Sequence, residues 1–277
     1  MAAVLTMNAN PIGLLAVGTS LAAFVLCYTN LRAMSIRLRL ALIALFALGA
    51  IPSVLFAVYY LHVLPEWAWF YTLRSWRGTE FLVVFLGLAT GALASLLPRF
   101  LLGLPLSVLL ALAMVPYVKP FMGSLPDSEF REKWEGDVCL QSTSSTCGPA
   151  SVSTILRHLG ANPSERAAAR AAYTYIGGTE AWYLARYVRS MGFVPRFDFR
   201  ETFTPEAGLP AMVGVRLGGV GHFIAVLDAT DGQVVYADPL VGERHLPLSE
   251  FQCHYTFTGF HMVIRQAKAN AWSAVAE

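Results

Sequence analysis

The stretch CLQSTSSTCGPASVSTILRHLG, residues 139–160, decides the reading of this chain. In its second half Ala150, Val152, Ile155, Leu156 and Leu159 recur at helical spacing, and Gly160 stops the run. Cys147 therefore opens a helix. A sulfur there meets unpaired N–H groups and the positive end of the macrodipole, both of which favour negative charge. Gly148 leaves space beside the sulfur, and Pro149 suits a first helical turn, where its missing N–H would be unpaired anyway. A lone cysteine at a helix start is more often a small buried side chain than a nucleophile. The rest of the chain changes that balance.

A nucleophile needs a base. In RLGGVGHFIAVLD (residues 216–228), His222 opens an apolar run, His222–Leu227, that reads as a buried strand. In DGQVVYADPL (residues 231–240), the turn pair Asp231-Gly232 starts a partner strand that ends at Asp238-Pro239. Two strands joined by a tight turn bring the start of one beside the end of the other. His222 and Asp238 are then neighbours, the arrangement of an imidazole oriented by a carboxylate. Asp228, closing the His222 strand, is the competing carboxylate.

Cys-Gly-Pro-Ala at a helix start, a Gln six residues earlier, a later Gly-His-Phe strand and then Asp-Pro resemble the papain-like bacteriocin-processing cysteine peptidase family, whose members cleave leader peptides after a double glycine. The resemblance covers about residues 137–264. It implies Cys147 as nucleophile, His222 as general base and acid, Asp238 as orienting carboxylate, and Gln141 as an oxyanion-hole donor beside the Cys147 N–H. Two departures stand out. Thr146 occupies a place that is Asp in familiar members, and the transporter ATPase they carry, with its phosphate-binding loop, is absent here.

The remainder is greasy. Of 277 residues, 56% are hydrophobic and 14% charged, and the mean hydropathy is +0.52, too apolar for an ordinary soluble domain. Charge is sparse up to Pro120 and normal beyond it. That predicts a transmembrane region over 1–120, a peptidase-like domain over 121–268 and a tail over 269–277. Four apolar segments, Ile12–Thr29, Leu40–Leu61, Phe81–Leu97 and Phe100–Tyr117, are each near the ~17–25 residues that span a bilayer. Pro98-Arg99 alone separates the last two, which form a tight hairpin or a pair that does not fully cross. No Lys or Arg precedes the first segment, against a cleaved signal peptide. Arg32, Arg37, Arg39 and Arg99 outweigh Arg74 and Arg77 and put the first loop inside. With four spans, the N-terminus and the globular domain are then both extracytoplasmic, in a multi-pass protein of a bacterial inner membrane. Trp67, Trp69, Tyr71 and Trp76 lie on the same outer face, where aromatic rings anchor in the headgroup layer.

The expected fold is α+β: about four transmembrane helices, then a papain-like domain with an antiparallel sheet. Further helices are read near Pro163–Tyr173 and Glu180–Met191, starting at Asn162-Pro163 and Thr179. Strands are read at Phe193–Phe199, Ala211–Leu217, His222–Leu227, Gln233–Ala237 and Phe260–Ile264. His158, His245, His254 and His261 show no metal-ligand spacing, so neither metal nor cofactor is expected. Ser151 and Thr154 are read as capping or solvent-facing. With Cys147 kept free, Cys139 and Cys253 are the remaining pair for a disulfide in an exported domain. A net charge of +2, without a basic patch, speaks against nucleic acid. The partners expected are membrane lipids and a peptide, lipoprotein or lipid substrate. The leading function is a membrane-anchored cysteine peptidase acting on an exported or membrane-tethered peptide. Its rivals are a thiol-dependent acyltransferase or amidase working through a Cys147 thioester, and a catalytically inactive binding module.

Overall fold

The computed structural model describes residues 10–59, 65–118 and 123–267. The chain divides into two compact units, a helical one running over 7–65 and 77–123, and a second one that combines 66–76 with 124–277.

The helical unit holds α1 (Pro11–Leu31), α2 (Ile36–Tyr59), α4 (Val83–Ala94) and α5 (Gly103–Val118). Among the described residues, three helices are long and apolar enough to cross a membrane: Pro11–Leu31, Ile36–Tyr59, and Arg99–Tyr117, which adds a short 3-10 turn to α5. A fourth crossing requires Ala68–Arg74 and Thr79–Ala94 to count together as one broken span. The expected third span is therefore shorter than its apolar composition suggested: α4 has 12 residues, about 18 Å at 1.5 Å per residue, against a hydrocarbon core of about 30 Å. Leu15, Leu26, Leu45, Leu48 and Leu104 are exposed, as lipid-facing positions must be.

Small residues bring α1 and α4 together. Gly87 and Gly91, four apart, lie against the α1 backbone, where an added Cβ would come within 2.1 Å of the Ser20 carbonyl and 2.4 Å of that of Phe24. The Ser20 hydroxyl donates to Val83 O at 2.8 Å. Close backbone approach of this kind replaces the hydrophobic driving force that lipid cannot supply. At one end of the unit, Arg39 donates to Ser95 O (3.2 Å) and Arg32 to Leu97 O (3.4 Å), covering carbonyls that the end of α4 leaves without partners.

The second unit begins with α3 (Ala68–Arg74), then β1 (Lys133–Glu135), β2 (Val138–Leu140), α6 (Cys147–His158), α7 (Glu165–Ala171), α8 (Ala181–Ser190), β3 (Phe193–Phe199), β4 (Ala211–Leu217), β5 (Val220–Thr230), β6 (Gln233–Asp238), β7 (Gly242–Pro247), α9 (Leu248–His254) and β8 (Thr256–Gln266). β1 and β2 form a hairpin, and the other strands make one antiparallel sheet in the order β3-β8-β4-β5-β6-β7. The architecture is α+β, as the sequence implies. β3 and β4 have the expected bounds, while β5 and β8 run longer. The β1–β2 hairpin, β7 and α9 were not expected. Start signals differ as well: Ser164, whose hydroxyl accepts from Ala167 N, caps α7, and Glu180 rather than Thr179 precedes α8.

The aromatic loop between α2 and α4 departs most from its reading as an interfacial anchor. Tyr71 of α3 is buried in the second unit, with its ring centroid 5.1–5.6 Å from those of Trp182, Phe197, Phe199 and Phe260. Arg186 of α8 donates to Arg74 O and Trp76 O, and Arg189 to Ser75 O, so two guanidinium groups cap the carbonyl end of α3. Trp67, Trp69 and Trp76 stay exposed.

Two outcomes follow. Gly87→Ala should destabilise the helical unit by roughly 1–3 kcal/mol through overpacking, whereas Gly18→Ala, with nothing within 4 Å of the new carbon, should not; thermal melts in detergent compare them. Tyr71→Ala should cost about 3–5 kcal/mol as a buried aromatic, and Trp69→Ala far less, read as protease resistance of the second unit.

Candidate active site

Cys147 sits at the first position of α6. Its N-cap, Thr146, turns its hydroxyl back to Thr143 O at 3.0 Å, so no side chain caps the first turn. Gly148 is hemmed in: an added Cβ would stand 2.9 Å from Leu184 Cδ1 and 3.4 Å from the Phe223 ring. Four residues along the helix, the buried Ser151 hydroxyl donates to Phe223 O at 3.0 Å. That bond ties the thiol's helix to the residue next to His222. Ser151 and Thr154 therefore do not face solvent, and the Thr154 hydroxyl accepts from Cys139 N at 3.0 Å.

β5 and β6 supply the imidazole and the carboxylate. Asp231 and Gly232 both take positive φ (52° and 75°), the conformation of a two-residue turn that fits twisted strands. From that turn the register runs Thr230↔Gln233, Ala229↔Val234, Asp228↔Val235, then slips to Val226↔Tyr236 and Ala225↔Ala237. Leu227 is the extra residue, a β-bulge. In unbroken register Asp238 would share a face with Phe223 and Ala225; the slip moves it to the face of His222 and Ile224. There His222 Nε2 and Asp238 Oδ1 are 2.9 Å apart. Asp238 Oδ1 also accepts from Leu240 N, and Oδ2 from the Tyr255 hydroxyl, both at 2.9 Å.

Cys147, His222 and Asp238 are all buried, at 8%, 8% and 3% exposure. Burial pulls the His222 imidazole downward, but hydrogen bonds to Asp238 and Cys147, with the negative charge on each, outweigh it and raise the value to about 9. Burial likewise opposes the Asp238 charge, yet His222, Leu240 N and Tyr255 hold its carboxyl below the usual range. The structure thus brings the thiol within hydrogen-bonding reach of an imidazole held by a carboxylate. Asp228 is exposed and accepts from Thr230 instead.

Gln141 lies just past β2. Its backbone N–H donates to Pro239 O at 2.9 Å, which joins it to the Asp238 turn, and its Nε2 donates to Thr143 O at 2.8 Å. One residue escaped the sequence reading. Glu165 of α7 is fully buried and accepts from Ser142 N (2.7 Å) and the Ser142 hydroxyl (2.5 Å), pinning the loop between Gln141 and Cys147. Burial pushes its carboxyl up, against the bonds from Ser142 and Thr146. Its helix-start position gave no hint of this role, because acidic residues favour first turns anyway.

The Cys139–Cys253 disulfide is not formed. Both thiols are free, Cys139 buried on β2 and Cys253 exposed on α9, and burial, together with the Glu165 and Glu132 charges, pushes the Cys139 thiol up.

Residues 135–269 match the Peptidase C39 family. An uncharacterized protein of Methanothermobacter marburgensis is 32% identical over 126 residues, 46% of this chain and 86% of that protein. The probable functional amyloid protease FapD of Pseudomonas aeruginosa is 31% identical over 131 residues, 44% of this chain and 58% of FapD. Among solved structures, the peptidase domain of Streptococcus ComA, a bifunctional ABC transporter of a quorum-sensing pathway, is 21% identical, covering 47% of this chain and 98% of that domain, with a TM-score of 0.41. A double-glycine-motif protease from an AMS/PCAT transporter, in complex with its leader peptide, is 19% identical over 50% of this chain and 96% of that one, also at 0.41. By its sequence over residues 135–269, this chain belongs to the peptidase C39 family, a family of cysteine peptidases.

Proposed function

We propose that the protein is a membrane-anchored cysteine peptidase that works outside the cytoplasm on an exported or membrane-tethered peptide. Cys147 is the nucleophile, His222 the acid and base, Asp238 its orienting partner, and Gln141 an oxyanion donor. The observation that carries this reading is the 2.9 Å contact of His222 Nε2 with Asp238. It leaves Nδ1 as the ring nitrogen for Cys147.

The steps follow from those positions. His222 takes the Cys147 thiol proton, Sγ attacks the scissile carbonyl carbon, and the carbonyl electron pair moves to the oxygen. The open first turn of α6 offers the Cys147 N–H to that oxygen, and Gln141, which uses one Nε2 hydrogen on Thr143, keeps the other for it. The C–N bond breaks as His222 gives its proton to the leaving amine, and a thioester remains on Cys147. Water then attacks the thioester carbonyl while His222 takes its proton. The C–S bond breaks, the acid leaves, and His222 returns its proton to the sulfur.

Topology supports the extracytoplasmic placement. Residues 66–76 share a unit with 124–277, so the stretch between them leaves one side and returns to it, and α4 and α5 either both cross or neither does. Arg32, Arg37, Arg39 and Arg99 gather at the turns between paired helices, the end that stays inside by the positive-inside rule. A reporter fused after Glu277 should be active only outside the cytoplasm; cytoplasmic activity reverses the orientation.

Cys147→Ala should abolish turnover. Gln141→Ala should lower kcat by roughly 10²–10³ with little change in KM, the size of one lost oxyanion donor. Asp238→Asn should impair turnover severely and Asp228→Asn should not, with any acyl substrate that reports turnover; the reverse pattern rejects the assignment. Mass spectrometry of membrane fractions lacking the protein should reveal an uncleaved peptide.

Protonated His222 is the group that serves the leaving amine, so kcat/KM should fall as pH rises through about 9. Asp238→Asn should shift that limb down. Folded His222 lies above the ordinary imidazole value of about 6.5, so the pair also adds stability that is full below that pH and lost as pH rises through about 9.

A further inference from the structure

We infer that Tyr255 is a positioning residue for Asp238, fixing which carboxylate oxygen faces His222. The inference rests on the catalytic reading of Cys147, His222 and Asp238.

A carboxylate on a single Cβ–Cγ bond can pivot, and either oxygen can meet a donor. Here the two oxygens are distinguished. Oδ1 serves His222 Nε2 and Leu240 N, and Oδ2 receives the Tyr255 hydroxyl at 2.9 Å. Tyr255 follows α9 in extended backbone (φ −118°, ψ 147°) and is 7% exposed. Its ring meets Tyr236 edge-on at 5.8 Å, Phe251 at 5.9 Å and His254 at 4.6 Å. Held on three sides, the phenol has little freedom to swing.

A residue needed only to fill this apolar cluster would serve equally well without its hydroxyl. The buried O–H requires an acceptor, and it takes the one carboxylate that His222 uses. The groups facing His222 are Cys147 from α6 and Asp238 from β6. Those behind Asp238 are Tyr255 and, within hydrogen-bonding reach of it, Tyr236, with Arg244 of β7 nearby. The Tyr255 O–H points the positive end of its dipole at the carboxylate and offsets part of the field that holds a proton on His222.

The test is an NMR titration of His222 in the full chain in detergent micelles. Tyr255→Phe keeps the ring and removes the donor, so the midpoint should move up. Replacing Tyr255 with 3-fluorotyrosine, a stronger donor of nearly the same size, should move it down and covers the case in which Tyr255→Phe does not fold. Asp238→Asn should move it down further. A midpoint unchanged in both Tyr255 variants, or moved in the opposite directions, overturns the assignment. If instead Asp238→Asn leaves the midpoint where it was, the catalytic pairing itself has failed, whatever Tyr255 does.

Discussion

Everything at the site depends on one extra residue in one strand. Side chains alternate along β5 and β6, so pairing fixes which of them share a face. Leu227 breaks the alternation between Val226 and Asp228, and Asp238 lands beside His222 instead of behind it. The hydrogen bond from Ser151 to Phe223 O then sets the Cys147 helix against the same strand. Cys147 and His222 come from elements far apart in sequence, and the β5 backbone beside His222 is their common reference.

Around that reference Asp238 is held from three directions, by His222 Nε2, Leu240 N and the Tyr255 hydroxyl. Gln141 is tied to Pro239 through its backbone. The loop between Gln141 and Cys147 is pinned from below by Glu165. Restraints of this kind keep buried polar groups in place while burial works against their charges.

Sequence carried the parts that are written locally. The Cys147 helix showed itself through apolar spacing and a glycine stop, and β3 and β4 through short apolar runs bounded by turn residues. The pairing of His222 with Asp238 was legible because Asp231-Gly232 is a hairpin turn, although the argument from the turn alone overlooked the bulge. β7, GERHLP, is a polar edge strand without alternation, and α9 spans only two turns, so neither left a pattern. Tyr255 and Glu165 act through neighbours distant in sequence, and α3 is amphipathic only toward a partner the sequence does not place beside it. A count of cysteines likewise carries no sign that Cys139 is interior and Cys253 at the surface.

The docking of α3 has a bearing on biosynthesis. Tyr71 leaves the ribosome before Trp182, Phe197 and Phe260, the rings that enclose it. Its loop must wait, uncovered, while the two later apolar helices are made and the rest of the second unit follows. The aromatic slot between α8, β3 and β8 fills only when that earlier loop is already waiting on the same side. Assembly order therefore makes the core of the second unit depend on a loop made well before it, and a second unit that folded without that loop would leave the slot empty.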